Sequence, residues 1–228
     1  MKDLLIFGNG EIAKLASEFV KSFTKYKTQG FIVDDVDNPS DKYFHDKKII
    51  LTKDLNNYSP EKFFVFVALS YRELNNLRAK KFNYFKEKGY SFINLIHPKN
   101  NISESAIIGK NCFIFENQTI QNNVKIGDNV TIWSSNHIGH NSIIENHVYI
   151  SSHVVISGFS KIGEKSFLGV NSAVADFCKI GKECFVGMSS SVDKNLDDGT
   201  FSLNKSTEYY DKDSKITKMI KKKYFKLK

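Results

Sequence analysis

Hydrophobic residues recur at every sixth position through the second half of the chain. From Ile96 the series runs Ile102, Ile108, Ile114, Ile120, Ile126, Ile132, Ile138, Ile144, Ile150, Ile156, Ile162, Leu168, Val174, Ile180, Val186 and Val192, seventeen aliphatic positions without an insertion. Neither the helical period of 3.6 nor the strand period of 2 generates that spacing. Glycine often follows the aliphatic residue, as at Gly109, Gly127, Gly139 and Gly163, and small or β-branched residues such as Cys112, Val124, Val130 and Ser142 stand four places after it. Asn111, Asn117, Asn123, Asn129 and Asn141 fill a turn slot, where a left-handed backbone is tolerated. Each hexad therefore reads as one short strand and one turn, and three hexads close a triangular coil. The prediction is a parallel β-helix, with aliphatic side chains stacked inside a prism on the order of 27 Å long at about 4.8 Å per coil.

The first ninety-five residues have a different rhythm. Apolar runs predict strands at 4–7, 30–35, 63–69 and 92–95, and amphipathic or charged stretches predict helices at 12–23 and 72–88. Strands alternating with helices imply a small parallel sheet, a Rossmann-like half, whose ligands sit at the carboxyl ends of the strands. Gly8 and Gly10, after the first strand, allow a phosphate to approach a helix N-terminus. Asp34 or Asp35, ending the second strand, is placed to hold a ribose or base. The same residues also read as a tight turn and a solvated carboxylate pair without a ligand. His97-Pro98 marks the junction, since proline holds the residue before it extended. The expected organisation is 1–95, 96–195 and a tail at 196–228.

Composition narrows the function. The 228 residues are 41% hydrophobic and 25% charged, the balance of a globular protein with a core. The longest apolar run, Phe63 to Leu69, falls far short of the roughly 20 residues of a membrane span. The N-terminus lacks a signal-peptide pattern, and three cysteines in no metal-ligand spacing argue for reduced thiols, a cytoplasmic setting and no metal. Of the net charge of +8, residues 205–228 carry +6, from nine lysines against Glu208, Asp211 and Asp213. The body has no electrostatic footprint for nucleic acid. From Ser214 to Lys228, Ile216, Met219, Ile220, Tyr224 and Leu227 alternate with lysines, predicting an amphipathic helix expected to cap the open prism end.

Candidate chemistry concentrates in one coil, where His137, His140, His147 and His153 fall close together. His140 lies in the third slot of its hexad, and eighteen residues later the same slot holds Gly158, which leaves room beneath the imidazole and exposes an amide N–H. His147 and His45 are expected to be solvated. His137 and His153 remain open between hydrogen bonding at a seam and catalysis. Cys178 and Cys184 are expected in prism packing, and Trp133 is expected to project outward towards a neighbouring subunit.

Across residues 1 to about 200 the chain resembles the hexapeptide-repeat acyltransferases. It is most similar to the branch of bacterial sialic-acid O-acetyltransferase-like enzymes and N-acetyltransferases of nucleotide-linked amino sugars of the bacillosamine and perosamine type. The resemblance implies a left-handed β-helix, a homotrimer, an acetyl-CoA site between neighbouring prisms and a nucleotide held by the N-terminal domain. The family's catalytic histidine lies in I-x-H-x-C/S-x-I, matched here by Ile138-Gly139-His140-Asn141-Ser142-Ile143-Ile144, so His140 is the expected general base. An amide near Gly158, beside the pantetheine arm, is the expected oxyanion donor. Asn141 stands where relatives often carry Asp or Glu. Tyr149 stands where some place a second histidine against the acetyl group, and is expected to donate a hydrogen bond there. No G-x-P-A-K-like segment closes the repeats; Gly199-Thr200-Phe201 stands instead. The tail's alternative roles are approach to CoA phosphates or to an anionic membrane surface. The expected activity is acetyl-CoA-dependent N-acetylation of a nucleotide-linked amino sugar in surface-glycan synthesis. The rivals are sugar O-acetylation and a non-catalytic β-helix scaffold.

Overall fold

The computed structural model describes residues 3–37, 41–205 and 208–225. The expected strand β1 (Asp3–Phe7) forms, followed by α1 (Glu11–Phe23) and β2 (Thr28–Val33). Two strands that the apolar pattern did not reveal come next, β3 (Tyr43–Phe44) and β4 (Lys47–Leu51), and then β5 (Phe63–Val67), α2 (Asn76–Glu87) and β6 (Ser91–Phe92). The sheet order is β3-β4-β2-β1-β5-β6, parallel except for the β3–β4 hairpin. The expected all-parallel sheet is thus a mixed one, because the two-residue β3 turns back antiparallel on the edge of β4. Its central strands read as continuous apolar runs because both faces are covered. Leu4, Ile6, Ala13, Ala16 and Phe31 pack on one side, and Leu5, Ile32, Val65 and Phe85 on the other.

The repeat region folds as its period dictates. Seventeen two-residue strands run from β7 (Leu95–Ile96) to β23 (Ser191–Val192), and the aliphatic of every hexad is the second residue of its strand. Each strand as far as Ala173–Val174 pairs in parallel with the one eighteen residues on, as Ile114↔Ile132 and Ile132↔Ile150, and this builds three sheets. Fourteen consecutive turns, from Asn111 to Ser189, place one non-glycine residue at positive φ. From Ile114 to Val192 the repeat aliphatics are buried, each contributing roughly 1.5–3 kcal/mol. Cys112, Cys178 and Cys184 are unpaired and buried in this core, as expected of the small-residue slot.

The far end of the prism is closed by the residues just after the last hexad. Leu196 bridges to Ile180, and β24 (Phe201–Ser202) pairs with β22 (Phe185–Val186). The helix expected in the tail forms as α3 (Lys215–Phe225), but Ile216, Met219 and Ile220 are exposed and join no buried cluster. Leu227 lies outside the described residues.

The N-terminal domain docks on one face and one edge of the prism. Phe113 of β10 (Phe113–Ile114) enters the N-terminal core beside Phe19 and Phe66. At the edge, the fully buried Arg78 donates from Nη2 to the carbonyl of His147 at 2.7 Å and to Asn75 Oδ1 at 2.8 Å, and from Nη1 to the carbonyl of Asn129. Asn75 Nδ2 donates to the Lys165 carbonyl at 2.8 Å. These bonds satisfy turn carbonyls that the covering domain hides from water. Burial lowers the Arg78 pKa to about 10, so the guanidinium stays charged at neutral pH.

Candidate active site

His140 follows β14 (His137–Ile138) at a corner of the triangular coil, and its side chain is exposed. Its backbone is pinned on both sides: the amide donates to Gln121 Oε1 at 2.9 Å, and the carbonyl accepts from the Phe159 amide at 2.9 Å. One coil on, a Cβ added to Gly158 would fall 3.1 Å from both Cε1 and Nε2 of the imidazole, so the ring rests against the glycine through its Nε2 edge. Gly139 is as tightly constrained, for a Cβ there would lie 2.6 Å from the Gly158 nitrogen. The vertical stacking read from the eighteen-residue spacing is the stacking observed.

Asn141, in a left-handed turn at φ 58°, places Nδ2 2.9 Å from His140 Nδ1. Asn123 Nδ2 reaches Asn141 Oδ1 at 3.2 Å. With Nδ2 towards the ring, Nδ1 accepts and the imidazole proton sits on Nε2. A base acting through Nε2 requires the isosteric opposite orientation, with Oδ1 accepting from Nδ1–H and Asn123 turned in concert. The amide thus selects the tautomer.

Three neighbours were absent from the sequence reading. Phe159 meets the His140 ring edge-on, with centroids 5.0 Å apart, and stacks on Phe177 at 5.0 Å. Both phenylalanines are exposed and occupy left-handed turns at φ 56° and 62°, a costly backbone for a bulky residue. Asp176 Oδ1 lies 3.4 Å from the position of a Gly158 Cβ. Spacings of eighteen from His140 and Asn141 would have found all three.

The other candidates lie elsewhere. Tyr149, on β16 (Tyr149–Ile150), is buried where the N-terminal domain meets the prism. Its hydroxyl accepts from Trp133 Nε1, its ring meets Tyr71 at 5.1 Å, and burial raises its pKa to about 12. It is not brought together with His140 within one chain. Trp133 is half-buried and lies flat on Phe115 at 4.6 Å. His147, expected to be solvated, is 4% exposed, because Phe82 and the Arg78 bonds cover its turn. Its Nδ1 meets Asn129 Nδ2 at 2.9 Å, and burial, reinforced by the Arg78 charge, lowers its pKa to about 4. His45 and His153 are exposed and His137 is half-buried.

In the N-terminal domain, Gly8 has φ 120°, and a Cβ there would fall 2.8 Å from the Ala68 carbonyl oxygen, so glycine is required. Gly10 is the N-cap of α1 and has no side-chain cap. Asn9, Gly10, Glu11, Ala68, Ser70 and Arg72 help to line a cleft of about 380 Å³ at the carboxyl ends of β1 and β5. Asp34 and Asp35 stand outside that lining. Asp34 pairs with Lys81 Nζ at 2.5 Å, and Asp35 Oδ1 accepts from the Lys53 amide at 2.9 Å. Among the described residues no group of three or more His, Cys, Asp or Glu could hold a metal ion.

The family model for bacterial transferase hexapeptide (six repeats) matches residues 119–158, a stretch that begins just before Gln121 and ends on Gly158. Among solved structures, the acetyltransferase domain of PglB from Neisseria gonorrhoeae FA1090 matches with a TM-score of 0.77 at 24% identity, over 88% of this chain and 96% of that one. PerB from Caulobacter crescentus, in complex with CoA and GDP-perosamine, matches with a TM-score of 0.78 at 22% identity, over 88% and 93%. WeeI from Acinetobacter baumannii AYE matches with a TM-score of 0.76 at 17% identity, over 88% and 96%. No curated protein matches the chain by sequence. The fold is a left-handed parallel β-helix of hexapeptide repeats preceded by a small α/β domain. It is the fold of PglB's acetyltransferase domain, PerB and WeeI, carried over most of their length.

Proposed function

We propose that this protein transfers the acetyl group of acetyl-CoA to the amino group of a nucleotide-linked amino sugar, with residues 1–95 holding the nucleotide and residues 96–195 carrying the transfer. The observation that carries the reading is the corner where the His140 imidazole, held at Nδ1 by the Asn141 side chain, rests on the bare backbone of Gly158. The fold shared with PerB, whose structure holds CoA and GDP-perosamine, supports the pairing of coenzyme and substrate.

In the reaction, with the Asn141 amide turned so that Oδ1 accepts from Nδ1–H, the sugar amine attacks the thioester carbonyl while His140 Nε2 takes its proton. The tetrahedral oxyanion is met by the Gly158 amide. Collapse breaks the carbon–sulfur bond, and the imidazolium returns its proton to the departing CoA thiolate. No enzyme nucleophile is needed, and the three thiols of this chain are all buried.

We infer a homotrimer, and the placement of the parts supports a site shared between copies. Arg78 fixes the N-terminal domain to the edge carrying Asn129 and His147, whereas His140 stands on the edge between β14 and β15 (Ile143–Ile144). A nucleotide sugar in the cleft of one chain is therefore directed to the His140 of a neighbouring copy, with CoA between the prisms. We assign the enzyme to the cytoplasm and to surface-glycan synthesis. Incubation with acetyl-CoA and a panel of nucleotide-linked amino and hydroxy sugars, with products read by mass, tests the assignment. The expected result is a gain of 42 mass units, the size of one acetyl group, on an amino sugar, abolished by His140→Ala. Transfer to hydroxyls alone, or CoA release unchanged in the variant, overturns it.

A further inference from the structure

Among the described residues, the apolar side chains of helix α3 join none of the buried clusters. It starts properly: the Ser214 side chain accepts from the Thr217 amide at 3.1 Å, an N-cap bond. Yet it spans only 11 residues and belongs to none of the buried clusters, and an unsupported helix of that length is marginal in water. Ile216, Met219 and Ile220, spaced 3 and 4 apart on one face, are 37%, 59% and 38% exposed. Lys218, Lys221 and Lys222 cover the opposite side, Lys215 borders the apolar face beside Met219, Lys223 stands on that face one turn beyond Met219 and Ile220, and the helix has no acidic residue in its first turn.

Charge decides what covers that face. The tail carries +6 and the rest of the chain only about +2. Three prism glutamates already have lysine partners: Glu145 pairs with Lys161 at 2.5 Å, Glu183 with Lys165 at 3.0 Å and Glu164 with Lys182 at 4.0 Å. A second copy would bring its own nine lysines to the contact. A nucleic acid would neutralise the lysines and leave the isoleucines in water. An anionic bilayer surface meets both demands at once, with the apolar side entering the headgroup boundary and the lysines facing lipid phosphates. No described helix is long and apolar enough to cross a membrane, so the contact is adsorption.

We propose that α3 docks the protein on an anionic lipid surface. The inference is independent of the chemistry at His140. The test is co-sedimentation of the full chain with sucrose-loaded vesicles of phosphatidylglycerol and phosphatidylcholine (1:3) and of phosphatidylcholine alone. Binding is expected to the first and not the second, and to fall with added salt. The quadruple change of Lys215, Lys218, Lys221 and Lys222 to Gln weakens it more than a hundredfold, at about fivefold per lysine. Ile216→Ser with Ile220→Ser weakens it comparably, while oligomeric mass and far-ultraviolet dichroism of the body stay unchanged. Equal binding to both vesicles, unchanged binding by the variants, or loss of oligomeric mass in the isoleucine variant overturns the proposal; the last assigns the helix to a neighbouring copy.

Discussion

His140 and Asn141 are joined by a 2.9 Å contact between the imidazole Nδ1 and the side-chain amide, and that amide has two faces with opposite chemical consequences. Its oxygen leaves Nε2 a free base, and its nitrogen leaves Nε2 protonated. A carboxylate has only the productive face. Asn141→Asp is therefore expected to preserve or raise kcat and to move the acidic limb of the pH–rate profile upward by about one unit, because a nearby negative charge favours the imidazolium. Asn141→Leu is expected to lower kcat about tenfold to a hundredfold. An unchanged pH profile in both variants would remove the amide from the mechanism.

Gly158→Ala probes the floor under the ring. The new Cβ would come within 3.1 Å of Cε1 and Nε2, so the imidazole must move by a few tenths of an ångström. Displacement on that scale is expected to cost kcat about tenfold to a hundredfold, with thermal stability nearly unchanged. Steady-state kinetics alongside a melting curve separates the two effects.

His147 makes stability depend on pH. Its pKa in the fold is lowered from 6.5 to about 4, so the folded chain binds this proton less readily than the unfolded one. The contribution is fully present above pH 6.5 and is lost as pH falls towards 4. Between pH 7.5 and pH 5 the loss is about 2 kcal/mol. Urea titrations at the two pH values measure it, and His147→Gln is expected to flatten the dependence. A decline equally steep in the variant would assign the effect to other groups.

Arg78 ties the two parts together. Arg78→Ala leaves the buried carbonyls of Asn129 and His147 without this donor, and is expected to cost about 3–5 kcal/mol. The damage falls at the domain junction, remote in sequence and edge from His140. Limited proteolysis should cut first near residues 70–75, with the prism core surviving longer; uniform digestion would contradict a local effect.

The prism was legible because its chemistry is periodic. A side chain every six residues meets its own kind one coil on, and this repetition overrides weak local propensities. The same arithmetic placed His140 over Gly158 and Cys184 in the core. What escaped were contacts that run across the fold. Phe159 beside the His140 ring and Phe177 stacked on it stand at eighteen-residue steps from Asn141 and were missed because that column was not followed. The two-residue β3 was too short to show a pattern, Ile49-Ile50-Leu51 of β4 was passed over, and the tail helix carried its amphipathic signal without saying what it covers.

By itself, the order of residues determined the coil, its eighteen-residue register and the α/β unit ahead of it. Those features rest on interactions between positions at fixed separations, which a chain records directly. Only the tertiary structure decided that His147 is buried and neutral, that Tyr149 serves the domain junction, and that Leu196 and β24 close the prism. Each of those outcomes depends on which surface another segment happens to cover. Burial is a property of what arrives from elsewhere in the chain, and no local spacing contains it.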